Sequence, residues 1–156
     1  MSIKIPDPVA LTQDLIRFNT INPPGNEDEI CGFLEELLLS AGFECKSVDF
    51  APRRRSLIAR IVGERGGPNI CFTGHVDVVP LGGRSWQYDP FSAQIHDGKL
   101  YGRGSSDMKS GVAAMVVAAM KTASQAKAGH GISLIITAGE ETGCEGAFHL
   151  IAQKEV

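Results

Sequence analysis

One imidazole and four carboxylates stand out in this chain, in Thr73-Gly74-His75-Val76-Asp77, in Gly104-Ser105-Ser106-Asp107-Met108-Lys109 and in the adjacent Glu140-Glu141 pair. Each lies just after a short apolar run with the character of a buried strand. Imidazole nitrogen and carboxylate oxygen are donors that a pair of divalent zinc ions takes. His75 and Asp77 are two apart, so on extended backbone both side chains leave the same face. Asp77 is then expected to accept a hydrogen bond from the imidazole N–H turned away from the metal, which fixes the tautomer. Asp107 precedes a helical run, and the two oxygens of a lone carboxylate there can bridge two cations. Glu140 and Glu141 follow the β-rich run 132–137, bounded by Gly131 and Gly139, which puts both at the mouth of a sheet. One of the two can bind metal while its neighbour handles a proton. The chemistry such a set supports is hydrolysis: paired cations lower the pKa of a water and polarise an amide carbonyl, and a carboxylate carries the proton to the leaving nitrogen.

The elements that must position these residues follow from local pattern. Asp7 before Pro8 reads as an N-cap with proline at the first helical position, and Leu11, Leu15 and Phe18 mark one face of that helix. It should stop before Asn22-Pro23-Pro24-Gly25. Asn26 with Glu29 three residues on predicts a capping box for a second helix, whose apolar positions Ile30, Phe33, Leu34, Leu37, Leu38 and Ala41 repeat at helical spacing up to Gly42. The runs 56–62, 69–73 and 132–137 are continuously apolar, which predicts strands buried on both faces. Asp97-Gly98 predicts a two-residue hairpin between 93–96 and 99–101. Val112, Met115, Val116, Ala119 and Met120 lie on one side of a nearly all-apolar helix. Strands interleaved with helices define an α/β layered fold, a mixed and largely parallel sheet flanked by helices, with ligands at strand ends.

Composition narrows the function classes. The 156 residues are 43% apolar and 21% charged, the proportions of one soluble globular domain rather than a disordered chain. A formal charge of −3 gives no general attraction to nucleic acid or to an anionic membrane, so neither is expected as a partner. Arg53-Arg54-Arg55 is the local exception and reads as a solvated loop before a strand. Cys31, Cys45, Cys71 and Cys144 are scattered without a C-x-x-C pair, which suits buried or half-buried thiols in a reducing cytoplasm. Met1 to Ile5 lacks the form of a signal peptide, and the apolar stretch 111–120 is too short to cross a bilayer. His96, His130 and His149 carry no ligand spacing and are expected at the surface. Met108, Met115 and Met120 are read as core filler. Gly102-Arg103-Gly104 lacks the third glycine of a dinucleotide fingerprint, and no G-x-S-x-G elbow is present. His75 and Asp77 alone would fit a buried, capped histidine. Grouped acids at sheet ends are costly to bury without a cation, and they turn the reading toward a metal site.

Taken in order, Gly74-His75-Val76-Asp77-Val78-Val79-Pro80, Trp86, Asp89-Pro90-Phe91, Asp97-Gly98-Lys99-Leu100-Tyr101-Gly102-Arg103-Gly104, Asp107-Met108-Lys109 and Glu140-Glu141 resemble the zinc amidohydrolase and metallopeptidase family. That family includes acetylornithine deacetylase, succinyl-diaminopimelate desuccinylase, aminoacylase and glutamate carboxypeptidase. The resemblance runs from about Leu11 to Val156. It implies that His75 binds one metal, Asp107 bridges and Glu141 binds the other. By the same likeness Asp77 orients His75, Glu140 is the general base, and the peptide bond after Asp107 is cis. The implied cofactors are two Zn2+ or Co2+ ions and the implied substrate is a small N-acyl amino acid or peptide. The relatives complete the metal shell with a further Glu and a late His, and they pair as homodimers through an inserted smaller domain. Residues 1–156 are therefore expected to be the N-terminal part of the catalytic domain, without the dimerisation domain or the C-terminal part. The expected function is hydrolysis of an N-acyl amino acid amide in the full-length protein. A dipeptidase or carboxypeptidase of the same chemistry, and a folded but non-catalytic fragment, are the alternatives.

Overall fold

The computed structural model describes residues 4–156; the first three residues of the Met1 to Ile5 start lie outside the described residues. In chain order the elements are α1 (Pro8–Arg17), α2 (Asp28–Ser40), β1 (Glu44–Ala51), β2 (Arg54–Val62), β3 (Ile70–His75), β4 (Gln94–His96), β5 (Lys99–Tyr101), α3 (Lys109–Ala128), β6 (Gly131–Thr137) and α4 (Glu145–Ala152). Asp7 caps α1 as its sequence predicts, its carboxylate accepting from the N–H groups of Val9 and Ala10 with Pro8 at the first helical position. The second start differs. Helix α2 begins at Asp28 after Glu27, with no side-chain cap, so the capping box expected at Asn26 does not form. The Glu27 carboxylate is drawn away to Arg54 at 2.8 Å, and Asp28 and Glu29 place negative charge in the first turn, where the helix dipole favours it.

The main sheet has the order β1-β2-β6-β3. β1 runs antiparallel to β2, β2 antiparallel to β6, and β3 parallel to β6. The sheet is mixed and flanked by helices as expected, but the share of parallel pairing is smaller than expected. Strand β1, whose side chains alternate between charged or polar and half-buried, enters as a hairpin partner of β2 and adds an antiparallel edge. A second difference concerns β3. Its first four residues are exposed, with Ile70 at 57% and Phe72 at 37%, because it pairs with β6 on one side only. Cys71, carried on this edge strand, is exposed rather than buried.

The core lies between the sheet and helices α1, α2 and α3. Leu57, Ala59 and Ile61 of β2 and Ile132, Leu134 and Ile136 of β6 alternate toward it, meeting Leu11, Leu34, Leu38, Val112 and Val116. Ile58 and Leu150 are buried outside this cluster, where α4 contacts β1 and β2. The hairpin β4–β5 forms with Asp97 and Gly98 both at positive φ, 48° and 71°, the geometry of a two-residue turn matched to strand twist. Among the described residues, no helix is long and apolar enough to cross a membrane.

Candidate metal centre

Among the described residues, the one parallel pair of the main sheet, β3 with β6, brings the candidate residues together. Thr73, Gly74 and His75 of β3 lie beside Ile135, Ile136 and Thr137 of β6, and Val76 N donates to Thr137 O at 3.1 Å. Two neighbouring strands that run the same way end at the same edge, so the segments that leave them arrive side by side. His75 is carried at one strand end and Glu140-Glu141 just past the other. Gly74 permits the close approach of the third segment: a Cβ there would lie 2.8 Å from the side chains of Met108 and Met115. Gly139, at φ +72°, turns the chain out of β6 toward the glutamates. The bond between Asp107 and Met108 is cis, as the resemblance implies.

His75, Asp107 and Glu141 come together, each offering one ligand atom within 4.8 Å of the others. His75 Nε2 lies 3.2 Å from Asp107 Oδ1 and 3.8 Å from Glu140 Oε2. The other ring nitrogen, Nδ1, is 3.0 Å from the backbone carbonyl of Asp77 and 3.5 Å from its carboxylate. The carbonyl, not the expected carboxylate, takes the shorter contact. Either acceptor keeps a proton on Nδ1, so that when Nε2, which faces the acids, gives up its own proton the ring is left in the tautomer a metal ligand needs. The Asp77 carboxylate, fully buried, is engaged elsewhere. Its Oδ1 accepts from Glu140 N–H at 3.1 Å, and its Oδ2 accepts from Glu141 N–H at 3.0 Å and from Asn22 Nδ2 at 2.8 Å. Asp77 thus pins the backbone of the two glutamates rather than only the imidazole.

Exposure grades outward from this anchor. The His75 side chain is 7% exposed, that of Glu140 43% and that of Asp107 77%. Burial penalises the Asp77 carboxylate, but the bonds it accepts outweigh that penalty and hold it down at about 2. Burial also disfavours a charged His75, yet Asp77 and Glu140 raise it to about 9. Glu141 is pushed up, first by burial and then by the charges of Asp107, Asp77 and Glu140, against the pull of His75. Beneath the site Lys109, fully buried, donates from Nζ to Phe18 O at 2.8 Å, and burial brings its amine down to about 7 against the attraction of Asp77. Four acids around one imidazole at a strand edge form a negative pocket that a divalent cation relieves. One nitrogen and two carboxylates are a donor set that zinc or cobalt accepts. A cavity lined by Gly74, His75, Met108, Thr137, Glu140 and Cys144 opens alongside.

Sequence reasoning missed Asn22 and Thr142, which close the site from behind, and the burial of Arg54. Asn22-Pro23-Pro24-Gly25 reads as loop punctuation, and no local pattern betrays that Asn22 is 2% exposed. Arg53-Arg54-Arg55 is not a uniformly solvated run. The Arg54 side chain is 12% exposed and paired with buried Glu27, because β2 begins there and carries it under the turn after β6.

Such a fold and such a site define the class: an α/β chain with an acid-rich cluster, able to offer ligands to a divalent cation, where the parallel strands β3 and β6 end. The chain belongs to peptidase family M20/M25/M40, whose family model matches residues 71–156. A succinyl-diaminopimelate desuccinylase of Wolbachia pipientis is 43% identical over 138 residues, covering 87% of this chain and 34% of that protein. Succinyl-diaminopimelate desuccinylase 2 of a Ruegeria species is 42% identical over 151 residues, covering 94% of this chain and 37% of that protein. The chain therefore spans about a third of the length of the curated relatives it matches. In fold it is similar to an M20 family metallo-carboxypeptidase of Sulfolobus solfataricus, with a TM-score of 0.82 at 21% identity, covering 95% of this chain and 34% of that one. Human carnosine dipeptidase 1 gives a TM-score of 0.79 at 24% identity, covering 94% of this chain and 35% of that one.

Proposed function

We propose that these residues serve a metal-dependent amidohydrolase that removes the acyl group from an N-acyl amino acid, with N-succinyl-diaminopimelate as the first substrate to test. The observation that carries this reading is the convergence of His75, Asp107 and Glu141 within 4.8 Å, with Glu140 3.8 Å from the same imidazole nitrogen. His75, Asp107 and Glu141 are the residues that would hold the divalent cations, for which zinc and cobalt suit the donor set. Bound, they supply Lewis acidity to a water and to the amide carbonyl. Glu140 has its backbone pinned by Asp77 and its carboxylate half-exposed at the mouth. It accepts the proton from the attacking water and delivers it to the departing nitrogen, so the acyl group leaves as a carboxylate and the amino acid as a free amine. Asp77, through its carbonyl and its nearby carboxylate, keeps His75 in the tautomer that points Nε2 outward. The likeness to desuccinylases at 42–43% identity supports the acyl amino acid class over peptides. A homodimeric whole protein in a reducing cytoplasm is part of the same proposal.

The test is turnover by the polypeptide that carries these residues, loaded with Zn2+ or Co2+, on N-succinyl-diaminopimelate, N-acetylornithine and a dipeptide. Release of succinate at the highest kcat/KM supports the reading. Preference for the dipeptide overturns the substrate class, and no turnover of any of the three overturns the enzymatic reading.

A further inference from the structure

The groups that close behind the centre come from a segment that contributes no ligand. Asn22, between α1 and α2, is registered against the stretch that leaves β3. Asn22 N donates to Val78 O at 2.9 Å, Val78 N donates to Thr20 O at 3.0 Å, and the Thr20 hydroxyl donates to Val76 O at 2.6 Å. Ile21 and Val78 form a parallel bridge between these bonds. Held in that register, the Asn22 amide spends both its hydrogens: Nδ2 donates to Asp77 Oδ2 and to Thr142 Oγ1, each at 2.8 Å. The amide can face only one way, since a carboxylate accepts and never donates. Asn22 therefore joins the acid that pins the backbone of Glu140 and Glu141 to the residue that follows them. The Thr142 hydroxyl, accepting from Asn22, passes its own hydrogen to Glu145 Oε2 at 2.8 Å. Glu145 in turn lies 3.5 Å from Arg54, which ties the turn to β2.

We propose that Asn22 is a positioning residue: through Asp77 and Thr142 it fixes where the Glu140-Glu141 pair points and so sets how tightly the centre holds a divalent cation. The proposal rests on the metal-centre reading above, in which Glu141 is a ligand. Asn22 touches no donor atom of that centre. Removing its amide takes one donor from Asp77 and frees the Thr142 hydroxyl at one end. Asn22→Asp keeps the shape but sets a second acceptor against the Asp77 carboxylate, where like charges repel.

Co2+ titration of the 156-residue chain, followed by visible absorption and by calorimetry, tests this in the wild type, Asn22→Leu, Thr142→Val and Thr142→Ser. Asn22→Leu and Thr142→Val are expected to weaken Co2+ binding by about 10- to 100-fold and to change the absorption band, since groups behind a metal ligand act on affinity to that extent. Thr142→Ser keeps the hydroxyl and should restore both affinity and band. Thr142 is exposed, so Thr142→Val remains a fair test if the Asn22 variant does not fold. Affinities within about twofold of the wild type with an unchanged band overturn the proposal, as does equal loss in Thr142→Val and Thr142→Ser. A wild-type chain that binds no Co2+ shows that these residues by themselves hold no cation and overturns the proposal on that ground, a failure distinct from that of the Asn22 link.

Discussion

Acids are paired with arginines at the start of β2 and crowd without such partners at the ends of β3 and β6. At the first place three arginines each find carboxylates: Arg53 lies 3.5 Å from Asp28 and 3.2 Å from Glu29, Arg54 2.8 Å from Glu27, and Arg55 2.7 Å from Asp49. At the second, Asp77, Asp107, Glu140 and Glu141 surround a single imidazole. Paired charges satisfy one another and act as scaffold. An excess of acid on a surface that the fold holds in place costs free energy unless something positive joins it, and this separates a binding centre from a set of ion pairs. The two regions are linked, since Arg54 reaches Glu145 and Glu145 reaches Thr142 beside the glutamates.

Single substitutions in each region should have effects of different kinds. Glu140→Ala should lower kcat on the succinylated substrate by about 10²- to 10⁴-fold, and a loss of less than about tenfold contradicts its role as base. At the start of β2, Arg54→Met strands the fully buried Glu27 carboxylate, and urea unfolding should show a loss of about 3 kcal/mol or more. A loss under about 1 kcal/mol would mean that the pair is solvated and the corner is not scaffold. Lys109 sharpens the count of charges, because burial brings it down to about 7 from an ordinary value of 10.5, leaving it largely neutral above that pH. In that window the unfolded chain binds the proton that the folded chain has shed, so this group makes stability rise with pH and imposes its full penalty below pH 7. Lys109→Met should therefore remove a slope approaching about 1.4 kcal/mol per pH unit between pH 7 and 10.5, read as the difference between wild-type and variant unfolding curves. An unchanged slope would put a permanent cation under the mouth. The smallest effect is expected at Arg53, whose side chain is 53% exposed: Arg53→Ala should cost less than about 1 kcal/mol.

How much of this was legible in the sequence depends on range. Asp7 with Pro8, the Asp97-Gly98 turn and the apolar faces of α2 and α3 are local signals, and each formed its element. That His75 and the Glu140-Glu141 pair meet was legible because they follow β3 and β6, neighbouring parallel strands that end at the same edge; Asp107, in the turn after the separate β4–β5 hairpin, joins them by a route the strand pattern does not display. Strand β1 escaped notice because Glu44–Ala51 carries charged and polar residues without an apolar run, and its pairing with β2 supplies what its own pattern lacks. The same added edge lowered the parallel share of the sheet. Asn22 with Asp77, Asn22 with Thr142 and Arg54 with Glu27 are 55, 120 and 27 residues apart, contacts that no window of sequence can display. Asn26 shows the converse, a sound local capping signal overridden by distant partners: the N–H groups of Glu27 and Asp28 donate to Arg53 O, and the Glu29 carboxylate pairs with the Arg53 side chain.

Zinc titration of the 156-residue chain by calorimetry, at neutral pH and in two buffers of different ionisation enthalpy, reads whether His75 and its acids hold a cation. Saturable binding that releases protons is expected, since His75 is held near 9 and must lose its proton to serve as a ligand, with affinity falling at least about tenfold in His75→Ala; a zinc site without His75 would show neither. Equal, weak and buffer-independent binding by the wild type and His75→Ala would contradict this expectation.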